Sequence, residues 1–518
     1  MASPHSITCR PRIVMKLGIT ILIPLLMLSG GRVLYAQAKA TQVKAQADSP
    51  TRSFLGPCQM QELKSKALCG KYEVFEDRAS KRGRKIALNM IVLPAFSDKP
   101  APDPIFLFAG GPGQGAASIA SFVGEGPLSN LRQERDIVFL DQRGTGQSNP
   151  LTCNLYDDEG SLRGYFEEMF PAEQVRACRE RLEKIADLKQ YTTSNAVEDL
   201  DEVRRALGYE KINLYGGSYG TTMALAYLRR YREHVRSVIL AGVAPTDLKL
   251  PLPFAKGAQF AMDKLMDDCA TDSACHAAFP KLREEFRSVL DRLQKGPVSV
   301  ELINPLNNKP ERINLSRGPF AERLRMMLYN RDSASLVPLL IHLAYQGDFK
   351  PFILAALPQA RSIYQSLSMG MYFSVTCSED VPFITEEDIK RETLGTFLGD
   401  YRVRVHQSAC REWPRAMVGR EFISAVESDA PVLLLSGEAD PASPHWLGVE
   451  VARHLRNGLQ VTIPYEGHGY FSPCISNITA EFISKASARD LNTSCLQGVR
   501  RPPFVTTLPG PLSAAGNR

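Results

Sequence analysis

The chain has 518 residues, 44% hydrophobic and 23% charged, which excludes a disordered chain and a small scaffold held by disulfides alone. With 62 Lys+Arg against 56 Asp+Glu the formal charge is +6, too thin a basic excess over this length for a dedicated nucleic-acid binder. Eleven cysteines suit either scattered thiols and metal ligands in a reducing compartment, or bridges with one cysteine left over in an oxidising one.

The N-terminus decides between these. Residues 1–38 hold no Asp or Glu but carry Arg10, Arg12, Lys16 and Arg32, with an apolar run from Leu17 to Leu28 and then Ala36-Gln37-Ala38. A basic start, a short apolar middle and a small-x-small end describe a secretory signal peptide. A membrane anchor needs roughly 20 apolar residues, whereas this run is shorter and contains Pro24. Loss of residues 1–38 takes four basic residues and Cys9, so 62 − 4 = 58 Lys+Arg face 56 Asp+Glu and +6 becomes +2. Ten cysteines remain, an even number. The mature chain is expected to be secreted or periplasmic, with no stable membrane insertion. Residues 39–53 are polar and without period, a flexible leader.

From residue 54 the texture is that of an α/β core. Strands are predicted at 85–94, 104–109, 136–140, 212–215 and 237–241, several nearly continuous in apolar residues, as for strands covered on both faces. Ahead of the fourth a helix is expected, with Asn195 as its cap and Glu198 three residues on. Val197, Leu200, Val203 and Leu207 form its buried face and Gly208 its end. Strand, helix, strand in this order points to a parallel sheet.

Three segments of this core carry chemistry. Gly110-Gly111-Pro112-Gly113 follows the strand 104–109. Gly111, Gly113 and Ala116 also fit a dinucleotide fingerprint, but Pro112 removes an N–H that would cradle phosphate, and no cofactor is expected. Asp141 and Arg143 follow the strand 136–140 and read as a structural pair tying their loop beneath the site. Gly216-Gly217-Ser218-Tyr219-Gly220 lies between the strand 212–215 and a helix at 221–231. A serine at such a junction takes a strained backbone that holds its hydroxyl clear of the sheet, and glycines two positions to either side remove clashing side chains. Ser218 is the candidate nucleophile.

From about 246 to 428 the pattern turns helical, with Leu282, Phe286, Val289, Leu290 and Leu293 at helical spacing and 319–328 and 335–345 alike. The α/β pattern resumes with a strand at 432–436, a helix near 445–455 and a strand at 459–465. The economical reading is one α/β core, 54–245 and 429–498, interrupted by a mostly helical cap at 246–428 and followed by a Pro/Gly-rich tail at 499–518.

A serine hydroxyl needs a base, and the base an orienting acid. Of the seven histidines after the leader only His468 stands in a glycine-bracketed loop just past a core strand. Asp440, at the carboxyl end of the strand 432–436, is the acid; Glu438 is its local rival, set aside because Pro441 fixes the turn beyond Asp440. The order Ser218, Asp440, His468 is that of α/β-hydrolases. The backbone N–H groups of Tyr219 and of the Gly111 turn are the expected oxyanion donors.

Five motifs in order then resemble the proline iminopeptidase and tripeptidyl aminopeptidase (TAP-like) group of α/β-hydrolases. They are Gly110 to Gly113, Asp141-Gln142-Arg143-Gly144-Thr145-Gly146-Gln147-Ser148, Gly216 to Gly220, Asp440-Pro441 with Pro444, and Gly467-His468-Gly469. The resemblance covers about 85 to 495. It implies the α/β-hydrolase fold with a helical cap and a serine exopeptidase acting on peptides with a free N-terminus. Proline iminopeptidases usually have histidine before the glycine turn, and Ala109 places this chain nearer the tripeptidyl aminopeptidase branch. In that group acidic residues of the cap bind the substrate amine. Glu379 is the first choice and Asp380 the second, against the reading of a solvated acidic turn beside a disulfide. An esterase or lipase with the same triad and a silent binding relative are the competing functions. No H-E-x-x-H, C-x-x-C or phosphate-binding loop is present, so neither a metal nor a nucleic-acid partner is expected. Neighbour spacing suggests bridges Cys58–Cys69, Cys153–Cys178, Cys269–Cys275, Cys377–Cys410 and Cys474–Cys495, although sequence does not fix connectivity.

Overall fold

The predicted apolar runs pair into one nine-stranded sheet in the computed structural model, which describes residues 53–60, 63–155 and 160–508. The expected signal peptide (1–38), nearly all of the leader (39–53) and residues 509–518 of the tail lie outside the described residues. The strands in chain order are β1 (Leu55–Cys58), β2 (Ala67–Phe75), β3 (Lys85–Leu93), β4 (Ile105–Phe108), β5 (Ile137–Leu140), β6 (Ile212–Gly217) and β7 (Val235–Ala241). Then come β8 (Val298–Ile303), β9 (Pro310–Leu315), β10 (Ser428–Gly437) and β11 (Leu455–Ile463). Sheet order is β1-β2-β3-β5-β4-β6-β7-β10-β11. From β5 to β11 every pairing is parallel, whereas β1, β2 and β3 form an antiparallel edge.

The runs are continuous in apolar residues because both faces are covered. Phe106, Val138, Leu214, Val238 and Leu434 enter one core cluster, and their chain neighbours Leu107, Phe139, Tyr215, Ile239 and Leu435 enter the other. The insertion places the β10–β11 pair beside β7, so both parts of the core share one sheet.

One helix start differs from the sequence reading. The helix begins at Thr193, and it is Thr192, extended at φ −115° and ψ 161°, whose side chain accepts from the Asn195 N–H. Asn195 sits inside the first turn, where its amide donates to the Gln190 carbonyl (2.9 Å). Gly208, at φ +75°, does end the helix.

The insertion does not pack as one body. Helices Phe254–Thr271, Leu282–Lys295, Arg317–Met327, Val337–Gln346 and Lys350–Ser366 bury a core of their own with the antiparallel hairpin β8–β9. The helix Met369–Glu379 instead joins the main-sheet core through Met371, Phe373 and Val375, and all of its residues are buried. Disulfides join Cys58–Cys69, Cys153–Cys178, Cys269–Cys275, Cys377–Cys410 and Cys474–Cys495, the neighbour pairs. Among the described residues no helix is long and apolar enough to cross a membrane.

Candidate active site

β6 runs straight into the helix Tyr219–Arg230, and Ser218 alone makes the turn at φ 55° and ψ −125°. A non-glycine residue there costs about 1–3 kcal/mol and persists only when its surroundings fix it. Here its N–H donates to the Ala241 carbonyl and its own carbonyl accepts from the Thr221 N–H, both at 2.8 Å. The flanking glycines are required by contact. A Cβ on Gly216 would lie 2.3 Å from the Gly220 carbonyl oxygen, and one on Gly220 would lie 2.4 Å from that of Phe108.

Asp440, past the end of β10, accepts through Oδ2 from His468 Nδ1 (2.7 Å), from Ser443 Oγ (2.9 Å) and from the Tyr470 hydroxyl. Its Oδ1 accepts from the Ala442 and Ser443 N–H groups at 2.8 and 2.9 Å. Burial pushes this carboxyl up, but His468 and these donors outweigh it and hold Asp440 below the ordinary value. With Nδ1–H given to Asp440, Nε2 is left as the basic nitrogen of His468. Glu438, the rival acid, is occupied elsewhere: it accepts from the Tyr465 N–H (2.9 Å) and pairs with Lys264 (3.2 Å).

The cap touches both loops that meet the nucleophile. The His468 N–H donates to the Tyr329 carbonyl (2.7 Å), and a Cβ on Gly467 would lie 2.4 Å from the Leu328 and 2.5 Å from the Tyr329 carbonyl oxygen. On the other side the Ser368 N–H donates to the Gly113 carbonyl (2.9 Å). A Cβ on Gly110 would lie 3.1 Å from Ser218 Cβ, so the glycine turn lies against the serine.

Asp141 and Arg143 are structural, but not as a pair. Asp141 accepts from Asn89 Nδ2 (2.8 Å) and from the Ala117 and Gln147 N–H groups (2.8 and 3.0 Å), which gathers the turns around the glycine loop. Arg143 reaches away from it, fully buried, to Asp199 (2.7 and 2.8 Å) and to the Glu76 and Gln190 carbonyls. With its acceptor sites filled by amides, Asp141 has no need of the guanidinium.

Glu379 and Asp380 close the helix Met369–Glu379 and are buried. Glu379 Oε1 accepts from the Thr193 N–H (2.7 Å) and Oε2 lies 2.6 Å from Thr193 Oγ1, which in turn meets the Tyr219 hydroxyl at 2.6 Å. Burial pushes the Glu379 carboxyl up to about 7 against those hydrogen bonds, and burial together with Glu379 pushes Asp380 well up. Neither residue lines the cavities at Ser218.

Two cavities meet at Ser218 and His468. The first, of about 230 Å³, lies between core and cap, with Gly111 and Ser218 facing Phe254, Tyr329 and Tyr372. Its wall also carries Glu322, Arg325 and Arg402, which sequence reasoning missed. In the sequence Glu322 and Arg325 are an ordinary charge pair three residues apart, and only the burial of residues 319–327 shows that their helix has no solvated face for charges. The second cavity, of about 300 Å³, is mostly apolar, with Ile119, Phe122, Val123, Leu128 and Phe471. A larger cleft of about 880 Å³ lies wholly within the cap, around Phe286 and Ile389, and contains none of these groups.

Both parts of the core are similar to known proteins. Residues 103–313 match the model of the alpha/beta hydrolase fold, and residues 395–495 match that of TAP-like proteins. The serine protease Hip1 of Mycobacterium tuberculosis is 26% identical over 467 residues, covering 83% of this chain and 87% of its own. The tripeptidyl aminopeptidase of Streptomyces lividans is 22% identical over 410 residues, covering 70% and 71%. Among solved structures, proline iminopeptidase of Mycobacterium smegmatis aligns over 80% of this chain and 98% of its own, at 16% identity and a TM-score of 0.40. The chain has the α/β-hydrolase fold, is similar to TAP-like proteins in its second part, and is a serine hydrolase.

Proposed function

We propose that the protein is an exported serine exopeptidase that cuts near the free N-terminus of peptides. Ser218 attacks the scissile carbonyl, His468 takes its proton through Nε2 and returns it to the leaving amine, and Asp440 orients His468 and stabilises it while charged. The Tyr219 and Gly111 N–H groups receive the oxyanion. The observation that carries the reading is the His468–Asp440 contact of 2.7 Å beside a serine held at positive φ, all beneath a cap bonded to both loops. The names of the relatives favour a peptide substrate, and five disulfides favour an oxidising compartment.

Restriction to peptide ends rests on the cap closing the 230 Å³ cavity. Glu379 and Asp380 line neither cavity at Ser218, so a contact of either with the substrate amine would need Thr193 and Tyr219 to move aside, and the reading does not depend on it. Free-amine peptidyl anilides and their N-acetylated versions decide it: cleavage of the first and not the second is expected, and equal turnover rejects an N-terminal exopeptidase. Ser218→Ala should lower turnover by roughly 10⁶ and abolish fluorophosphonate labelling; retained labelling removes Ser218 as nucleophile. The apolar second cavity favours one further reading, an esterase, which predicts turnover of nitrophenyl esters and none of anilides.

A further inference from the structure

The wall of the cavity at Ser218 has an unbalanced charge. Glu322 is fully buried and gives both oxygens to Arg325, at 2.9 Å to Nε and 2.7 Å to Nη2. Arg402 lines the same cavity and is 94% buried (6% exposed). Among the described residues, the one carboxylate within ion-pair distance of Arg402 is that same Glu322, at 3.4 Å. A third guanidinium, Arg323, stands behind them, equally buried, donating to the Tyr165 carbonyl and carrying its charge close to Glu322. Three buried guanidiniums therefore share one carboxylate.

The other neighbours of Arg402 bring no negative charge. One Nη donates to the Tyr372 hydroxyl (2.7 Å) and the other faces His406 Nδ1 (3.2 Å). A guanidinium can only donate, so Nδ1 accepts and the proton of His406 is on Nε2, 3.0 Å from Thr376 Oγ1. Burial and Arg402 hold His406 neutral. Tyr329 accepts from Arg325 through its hydroxyl (2.7 Å) and stays protonated. Arg402 Nε is the atom that faces Glu322 at 3.4 Å, and it makes no hydrogen bond there because Glu322 gives both oxygens to Arg325. An uncompensated buried cation is expensive, and an unpaired buried N–H adds to the cost, unless something that enters the cavity supplies the missing acceptor.

We infer that Arg402 and Arg325 form a carboxylate subsite, so that the preferred substrate of Ser218 carries an acidic group on the cap side of the scissile bond. Of five N–H groups each, Arg325 gives three to Glu322 and Tyr329 and Arg402 gives two to Tyr372 and His406, and the N–H groups that remain on the Nη atoms suit a carboxylate, with Glu322 fixing the orientation of Arg325. The source is either an acidic side chain or a C-terminal carboxylate, because the same fork takes both. The inference rests on the serine-hydrolase reading of Ser218, though not on the bond being a peptide bond.

The test uses the full chain and matched substrate pairs. A nitrophenyl ester bearing a distal carboxylate is compared with the corresponding primary amide. Peptidyl anilides with Glu are compared with Gln, and short peptides with a free C-terminus are compared with their C-terminal amides. The carboxylate member of the ester pair and of one peptide pair should have the higher kcat/KM, by about 10–100-fold, and the peptide pair that responds identifies the source. Arg402→Met should bring that ratio to about one, and Arg402→Lys should restore part of it. Should Arg402→Met fail to fold, the ratios on the unmodified protein still decide. Turnover of the neutral esters with no carboxylate preference in any pair overturns the subsite. Preference among esters with no peptide cleaved overturns the peptidase reading and leaves the subsite standing.

Discussion

The two sides of the cavity at Ser218 handle buried charge in opposite ways. On the core side, Asp440 is one carboxylate with five donors, His468 among them. On the cap side, Arg325 takes both oxygens of the one carboxylate in hydrogen bonds, and Arg402 faces it at 3.4 Å without one. The difference separates two tasks. Groups that do chemistry are fully organised before anything binds, since reorganisation during the reaction would cost rate. Groups that select are left incomplete, and the ligand completes them.

The comparison breaks hardest at Asp440. Asp440→Asn keeps the shape and the Ala442 and Ser443 contacts but removes the charge and favours the wrong tautomer of His468, so kcat should fall by about 10³–10⁴ with the fold retained. Steady-state kinetics together with thermal unfolding check this. A loss below tenfold would mean that another acid serves His468, and Glu438 would be the first to examine.

Glu379 sharpens the comparison as a buried carboxyl outside both cavities, tied to Thr193 and through it to Tyr219. The folded protein holds its proton up to about 7, whereas the unfolded chain releases it near 4.5. The unfolded state therefore binds fewer protons across that window, and stability should fall as pH rises from about 4.5 to about 7, by roughly 3 kcal/mol, then level off. Asp380 is shifted the same way and adds to the slope. Glu379→Gln should flatten the curve and make the protein more stable than the parent at pH 8. Urea unfolding at several pH values reads it out, and an unchanged slope would place the proton elsewhere.

The core was legible because each of its features leaves a local mark. Continuous apolar runs announce strands covered on both faces, and the glycines around Ser218 answer to contacts within a few residues of it. The candidate acid and base, Asp440 and His468, were legible as residues of strand-end loops, and the structure brings them to 2.7 Å of each other. What stayed hidden depends on partners far along the chain. β2 is half exposed and pairs with β3 at an antiparallel edge, so it has no unbroken apolar run. The β8–β9 hairpin does alternate, as Val298, Val300 and Leu302 against Ser299, Glu301 and Ile303, but lies inside a segment dominated by helical spacing. Helix Met369–Glu379, buried all round, has no polar face to give it a period, so its union with the main sheet was invisible. Thr192 and Asn195 both suit a helix cap, and only the backbone tells which one caps. The charges of Glu322, Arg325 and Arg402 read as ordinary helix surface until burial shows that they have none.

The join between the two sides gives the smallest effect and the sharpest control. Gly467 and Gly469 bracket His468 symmetrically in the sequence, yet the structure uses them differently. A Cβ at 467 would run into the Leu328 and Tyr329 carbonyls of the cap at 2.4 and 2.5 Å, both backbone atoms at the end of the helix that carries Glu322 and Arg325. A Cβ at 469 would find its nearest neighbours at 3.6 and 4.0 Å, ordinary contact. Gly467→Ala must therefore push the cap off the His468 loop and weaken the 2.7 Å bond from the His468 N–H to Tyr329, at a cost of about 1–3 kcal/mol. Gly469→Ala should change stability by less than about 0.5 kcal/mol. Chemical denaturation of the two variants side by side measures the difference. Equal losses would mean that both glycines serve the backbone of the loop, and that the cap merely rests on a site that the core builds alone.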